Sequence, residues 1–120
     1  MNDNTKKTVK AVVDALLGKK ALNVVSMEVE EITPIADCFI IASGNSSVHM
    51  GSLLTAATDA LDALHEPYKV EGNTGTHWTL IDAGSVVIHI FSVKGREYYK
   101  IERIWGDVPT THYEESMTEL

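Results

Sequence analysis

The chain has 120 residues, a net charge of -7 and a single cysteine, Cys38. One cysteine excludes an internal disulfide and a cysteine metal cage. No apolar run approaches the roughly 20 residues of a membrane span. The length is that of one domain with one core. The first residues, MNDNTKKTVK, have neither the apolar stretch of a signal peptide nor an Arg-rich transit pattern, so the expected location is cytoplasmic. Charge is unevenly spread. Residues 1–20 carry five lysines against Asp3 and Asp14, and residues 21–120 carry five basic against fifteen acidic residues. A body of that sign repels a phosphate backbone, which predicts little direct nucleic-acid contact, with the Lys-bearing N-terminus the part able to touch RNA, and favours a basic protein partner.

The first predicted element is a helix. Val9, Val12, Val13, Leu16 and Leu17 recur at helical spacing, Thr5 or Thr8 is the expected cap, and Gly18 follows the last apolar residue. Leu22 to Val29 reads as a strand with Val25, Met27 and Val29 on one face. "EEITPIAD" is a loop punctuated by Pro34. "DCFIIASG" has the continuous apolar run of a strand covered on both faces. "SGNSS" turns into a second helix, with Ser46 or Asn45 as cap and a stripe of Met50, Leu53, Leu54, Ala57, Leu61 and Leu64. His65 and Pro67 end it. "YKVEG" is a short edge strand and "NTG" a turn.

"HWTLIDAGSVVIHIF" then reads as a hairpin. With Ala83-Gly84 as a two-residue loop, Asp82 pairs with Ser85, Leu80 with Val87 and Trp78 with His89. Alternation places Thr79, Ile81, Val86, Ile88 and Ile90 on one face and Trp78, Leu80, Val87, His89 and Phe91 on the other. The first set suits a helix-packed core. The second, with its large aromatics and a histidine, reads as an amphipathic surface or as a second core face. "KGREYYKIERIWGD" begins as a short helix and concentrates Arg96, Tyr98, Tyr99, Arg103 and Trp105, types enriched at interfaces. "VPTTHYEESMTEL" is acidic and aperiodic and is read as a mobile tail over residues 108–120, leaving one domain over 1–107. The order of elements predicts an α/β domain: a mixed sheet of about five strands with packed helices, in which "DCFIIASG", a helix and a later strand form a crossover.

The chemistry-bearing residues do not assemble into a catalytic motif. "GNSS" before a helix offers free amides to an anion, but neither a P-loop nor a dinucleotide fingerprint is present. The paired carboxylates that nucleotidyl transfer needs for Mg²⁺ are missing, since the hairpin offers only Asp82. The five histidines show no zinc-binding spacing, and no serine or cysteine occupies a nucleophile elbow. No enzyme, cofactor or metal is expected. Cys38 opens a buried strand and reads as core.

"ADCFIIASGNSSVH", Glu71-Gly72, "GTHWTLIDAGSVVIHIF" and "REYYKIERIWGD", in this order and spacing, resemble the Iojap-like ribosomal silencing factors. The resemblance runs from about Thr5 to Asp107 and rests on Trp78, Asp82, Gly84, His89, Phe91, Arg96, Tyr98, Glu102 and Trp105. Cys38 stands where the family usually has an aromatic, and His77 and Ala83 are local variants. The resemblance implies a nucleotidyltransferase-like fold without catalytic carboxylates. It also implies binding to the large ribosomal subunit through large-subunit ribosomal protein fourteen. Bound there, the factor would block subunit joining and repress translation under nutrient limitation or in stationary phase. The partner-binding residues it points to are Trp78, Leu80, Asp82, His89, Phe91, Arg96, Tyr98 and Glu102, with Asp82 shaping the turn. Two other classes compete: a nucleotide-binding enzyme using "SGNSS" for phosphate, and a homodimeric scaffold pairing through the hairpin face.

Overall fold

A computed structural model describes residues 1–72 and 77–114. The elements run α1 (Asp3–Gly18), β1 (Leu22–Glu28), β2 (Cys38–Gly44), α2 (Ser47–Ala63), β3 (Lys69–Glu71), β4 (Trp78–Asp82), β5 (Val86–Ser92), α3 (Val93–Tyr99), α4 (Ile101–Ile104) and β6 (Thr110–Tyr113). The predicted "NTG" turn lies outside the described residues.

Among the described residues six strands form one sheet in the order β3-β4-β5-β2-β1-β6. Only the central pair, β2 and β5, is parallel; the other pairs are antiparallel. The crossover from β2 therefore returns at β5 and carries both α2 and the β3–β4 pair. All seven residues of β2 are buried, as its continuous apolar run predicts.

Two cores result from alternation along the strands. On one face, Val12 and Leu16 of α1 and Leu53, Ala57 and Leu61 of α2 pack on Ile40, Ile81, Ile88 and Ile90. On the other, Val25, Met27, Phe39, Ile41, Val87 and Phe91 are covered by Ile101 of α4, with Trp78, Leu80, Trp105 and Val108 packed at the margin. The sheet is thus sandwiched: two long helices on one side, the α3–α4 strap and the chain after it on the other.

Three expectations are corrected. Asn2, not Thr5 or Thr8, caps α1: its side chain accepts from the Thr5 N–H at 2.8 Å. Both threonines are buried within the helix instead. The hairpin turns at Gly84-Ser85, closed by the Ala83 N–H to the Val86 carbonyl at 2.9 Å. Gly84 is left-handed at φ +78°, a conformation that suits glycine at the first central position of such a turn. The pairs become Trp78 with Phe91, Leu80 with His89 and Asp82 with Val87. The slip moves each partner by two positions, so both predicted faces survive. Finally, the stretch read as a tail from residue 108 contains β6. Val24 to Met27 of β1 pair with Tyr113 to Thr110, and Ser26 and Tyr113 share a hydroxyl hydrogen bond at 3.0 Å.

Candidate functional site: an aromatic patch on a buried histidine

The hairpin's second face builds an aromatic stack. Trp78 opens β4 beside the end of β5, its ring stacked on Phe91 at 5.1 Å and tilted against Tyr99 at 4.8 Å. The indole N–H donates to Nδ1 of His89 at 3.1 Å. An indole nitrogen is donor only, so this bond fixes the neutral imidazole with its proton on Nε2. His89 lies edge-to-face with Phe39 at 5.0 Å, and Phe39 in turn with Trp105 at 5.1 Å. Desolvation pushes the His89 pKa down to about 4. Among the described residues its buried Nε2 has no hydrogen-bond partner, and burying an imidazolium there would cost far more.

Depth separates these residues. Phe91 is 0% and His89 5% exposed, so neither presents surface to a partner docking on this conformation. Both are corrected from contact residues to the floor that orients Trp78. Trp78 and Leu80 are half-buried. Tyr98, at 80% exposure, and Tyr99, at 42%, complete the accessible part. Between His77, Lys94, Gly95, Tyr98 and Tyr99 lies a depression of about 510 Å³. The strap is held close at this point. The Ser92 N–H bonds the His77 carbonyl at 3.0 Å, and a Cβ on Gly95 would clash with that oxygen. Tyr99 was not among the predicted contacts. Its adjacency to Tyr98 in an Arg-Tyr-rich segment was the available signal.

The remaining predicted residues lie elsewhere. The Asp82 carboxylate accepts from the Gly84 N–H at 2.9 Å and shapes the turn at the far end of β4, as expected. Arg96 and Glu102 form an ion pair at 2.7 Å. The Arg96 guanidinium also donates to Ser43 Oγ at 3.2 Å and to the Leu22 carbonyl at 3.4 Å. This pair therefore braces the strap against the ends of β1 and β2.

"SGNSS" is occupied internally. Ser46 caps α2 by accepting from the His49 N–H at 3.0 Å. His49 Nδ1 accepts from the Asn45 N–H at 2.9 Å, and its Nε2 donates to the Lys19 carbonyl at 2.7 Å. Asp82 is at the opposite end of the sheet, about 20 Å away at 3.3 Å per residue. Among the described residues no group of three His, Cys, Asp or Glu side chains gathers to hold a metal. Cys38 is buried and its thiol pKa is pushed up to about 12 by desolvation, so it is an inert core residue. No helix among the described residues is long and apolar enough to cross a membrane.

Residues 2–119 match the family RsfS, ribosomal silencing factor during starvation. The chain belongs to the ribosomal silencing factor family. The silencing factor of Bacillus subtilis is 32% identical over 117 residues, 97% of this chain and 99% of the relative. The mouse protein named mitochondrial assembly of ribosomal large subunit protein 1 is 31% identical over 97 residues, 78% of this chain and 42% of the relative. A solved Chromobacterium violaceum structure superposes with a TM-score of 0.82 at 27% identity, covering 88% of each chain. Membership of the silencing factor family brings a ribosome-associated silencing role, and the Bacillus subtilis relative carries a regulatory rather than an enzymatic name.

Proposed function

We propose that this chain binds the large ribosomal subunit at large-subunit ribosomal protein fourteen, through the Trp78–Tyr98–Tyr99 patch, and sterically prevents the small subunit from joining. The observation that carries this reading is the half-exposed Trp78, seated on Phe91 and His89, in a chain matched almost end to end by a silencing family. An aromatic anchor on a rigid buried floor is the composition of a binding hot spot. The mechanism needs no bond chemistry: bulk at the subunit interface suffices. A net charge of -7 favours approach to a basic ribosomal protein. The mouse relative's name supports a large-subunit partner.

Sedimentation with separated subunits tests this. The protein is expected to travel with the large subunit and not with the small one. Added before mixing, it should lower the light-scattering yield of joined ribosomes. Equal binding to both subunits, or to neither, overturns the reading.

A further inference from the structure

The acidic composition hides a segregation of charge along the strand axis. The α3–α4 strap, residues 93–104, holds Lys94, Arg96, Lys100 and Arg103 against Glu97 and Glu102. In the rest of the chain beyond residue 20, Lys69 is the one basic residue against thirteen acidic ones. The fold adds to this bias. The Arg96 guanidinium reaches the Leu22 carbonyl, and His49 at the start of α2 reaches the Lys19 carbonyl. Lys19 and Lys20, at the end of α1, are thereby brought to the same end of the sheet. The opposite end collects Glu28, Glu30, Glu31 and Asp107 around one cleft, with Asp37 before β2 and Asp82 closing β4.

The cationic end has a shape as well as a sign. A cleft of about 410 Å³ opens between the strap and the start of β1, lined by Asn23, Arg96, Lys100 and Arg103 together with Glu97 and Glu102. Arg96 is committed to its brace, while Lys100 and Arg103 are exposed at the rim. Lys100 holds the left-handed conformation, φ 49°, at the joint of α3 and α4. Tyr98 and Lys94 lie on the same strap as the aromatic patch, so docking of Trp78 and Tyr99 brings this end down on the same surface.

We propose that the Lys100–Arg103 rim of the strap's cleft grips the phosphate backbone of ribosomal RNA next to the docked ribosomal protein. The place of docking rests on the large-subunit reading above. Lysine and arginine around a groove on an otherwise acidic protein give a local, sequence-independent phosphate contact. The acidic remainder repels RNA and so confines the contact to one end.

Two double variants with equal charge change separate this from bulk electrostatics: Lys100→Gln with Arg103→Gln, and Lys6→Gln with Lys7→Gln near the other end of α1. Each is titrated against the intact large subunit, against isolated large-subunit ribosomal protein fourteen, and against a naked RNA hairpin. The strap variant is expected to lose about tenfold in affinity for the subunit near 0.1 M salt. Its slope of log affinity against log salt should fall by about 2. It should lose the weak low-salt hairpin binding and keep its affinity for the isolated protein. The α1 variant should match the wild type within about twofold. Equal losses in both variants, or no loss in the strap variant, overturn the proposal. A strap-variant loss on the isolated protein as large as on the subunit also overturns it, in favour of a protein contact. A wild-type chain that ignores the large subunit refutes the large-subunit reading, and the hairpin titration still decides whether the strap holds RNA.

Discussion

His89 should make the fold acid-sensitive well above the pH at which its carboxylates protonate. In the folded chain its pKa is about 4, against an ordinary value of 6.5. Between those values the unfolded chain binds a proton that the folded chain refuses. The stabilisation is therefore fully present above about pH 6.5 and is lost as the pH falls toward 4. At roughly 1.4 kcal/mol per pH unit the whole gap amounts to about 3 kcal/mol, and most of it disappears between about pH 6.5 and pH 4. That is a large share of the 5–15 kcal/mol typical of a small domain. Protonation at Nδ1 also removes the acceptor of the Trp78 indole, so the loss should appear first at the patch. Urea unfolding across this pH range, on wild type and on His89→Gln, isolates the effect. Glutamine can accept the indole N–H but does not titrate, so its stability should vary less with pH by about 2–3 kcal/mol. A side-chain NMR titration that places His89 near 6.5, or parallel stability curves for the two proteins, would refute the reasoning.

Trp78→Ala should cost about 2 kcal/mol in denaturant unfolding, between a surface change and the 3–5 kcal/mol of a fully buried aromatic. Large-subunit affinity should fall further, by about thirtyfold, in a pull-down corrected for the unfolded fraction. Gly95→Ala would gain about 1 kcal/mol in an open helix. Here the new methyl meets the His77 carbonyl, so a loss of about 2 kcal/mol is expected on urea titration, and a gain would show that the strap yields. Ser46→Ala should cost about 1 kcal/mol by the same measurement, because it leaves the His49 amide without its cap.

The helices α1 and α2, the buried β2 and the two hairpin faces were legible because each is a periodic pattern set by its own residues. Hairpin register was not. It depended on whether Ala83 or Gly84 led the turn, and the left-handed φ that decides this is a backbone property. β6 escaped because Thr110–Tyr113 is short and polar. Its reason for being extended is β1, 87 residues away where Ser26 meets Tyr113. Depth within a face was also hidden. Phe91 and Trp78 share a face, yet the strap roofs Phe91 and leaves Trp78 at the rim. Charge counts exposed an acidic body but not its polarity, since only the fold carries Lys19 and Lys20 to the strap.

The pairing of β6 with β1 has a consequence for synthesis. β1 is the first strand made, and one of its flanks finds β2 once the connection over 29–37 and Cys38–Gly44 have emerged. The other flank has no partner until Thr110–Tyr113 has left the exit tunnel. Until then the nascent chain displays a bare strand edge whose peptide groups can pair with any extended segment nearby. A chain cut short at Gly106 would keep the strap and most of both cores but never close that flank, and it should aggregate edge to edge where the longer chain stays dispersed.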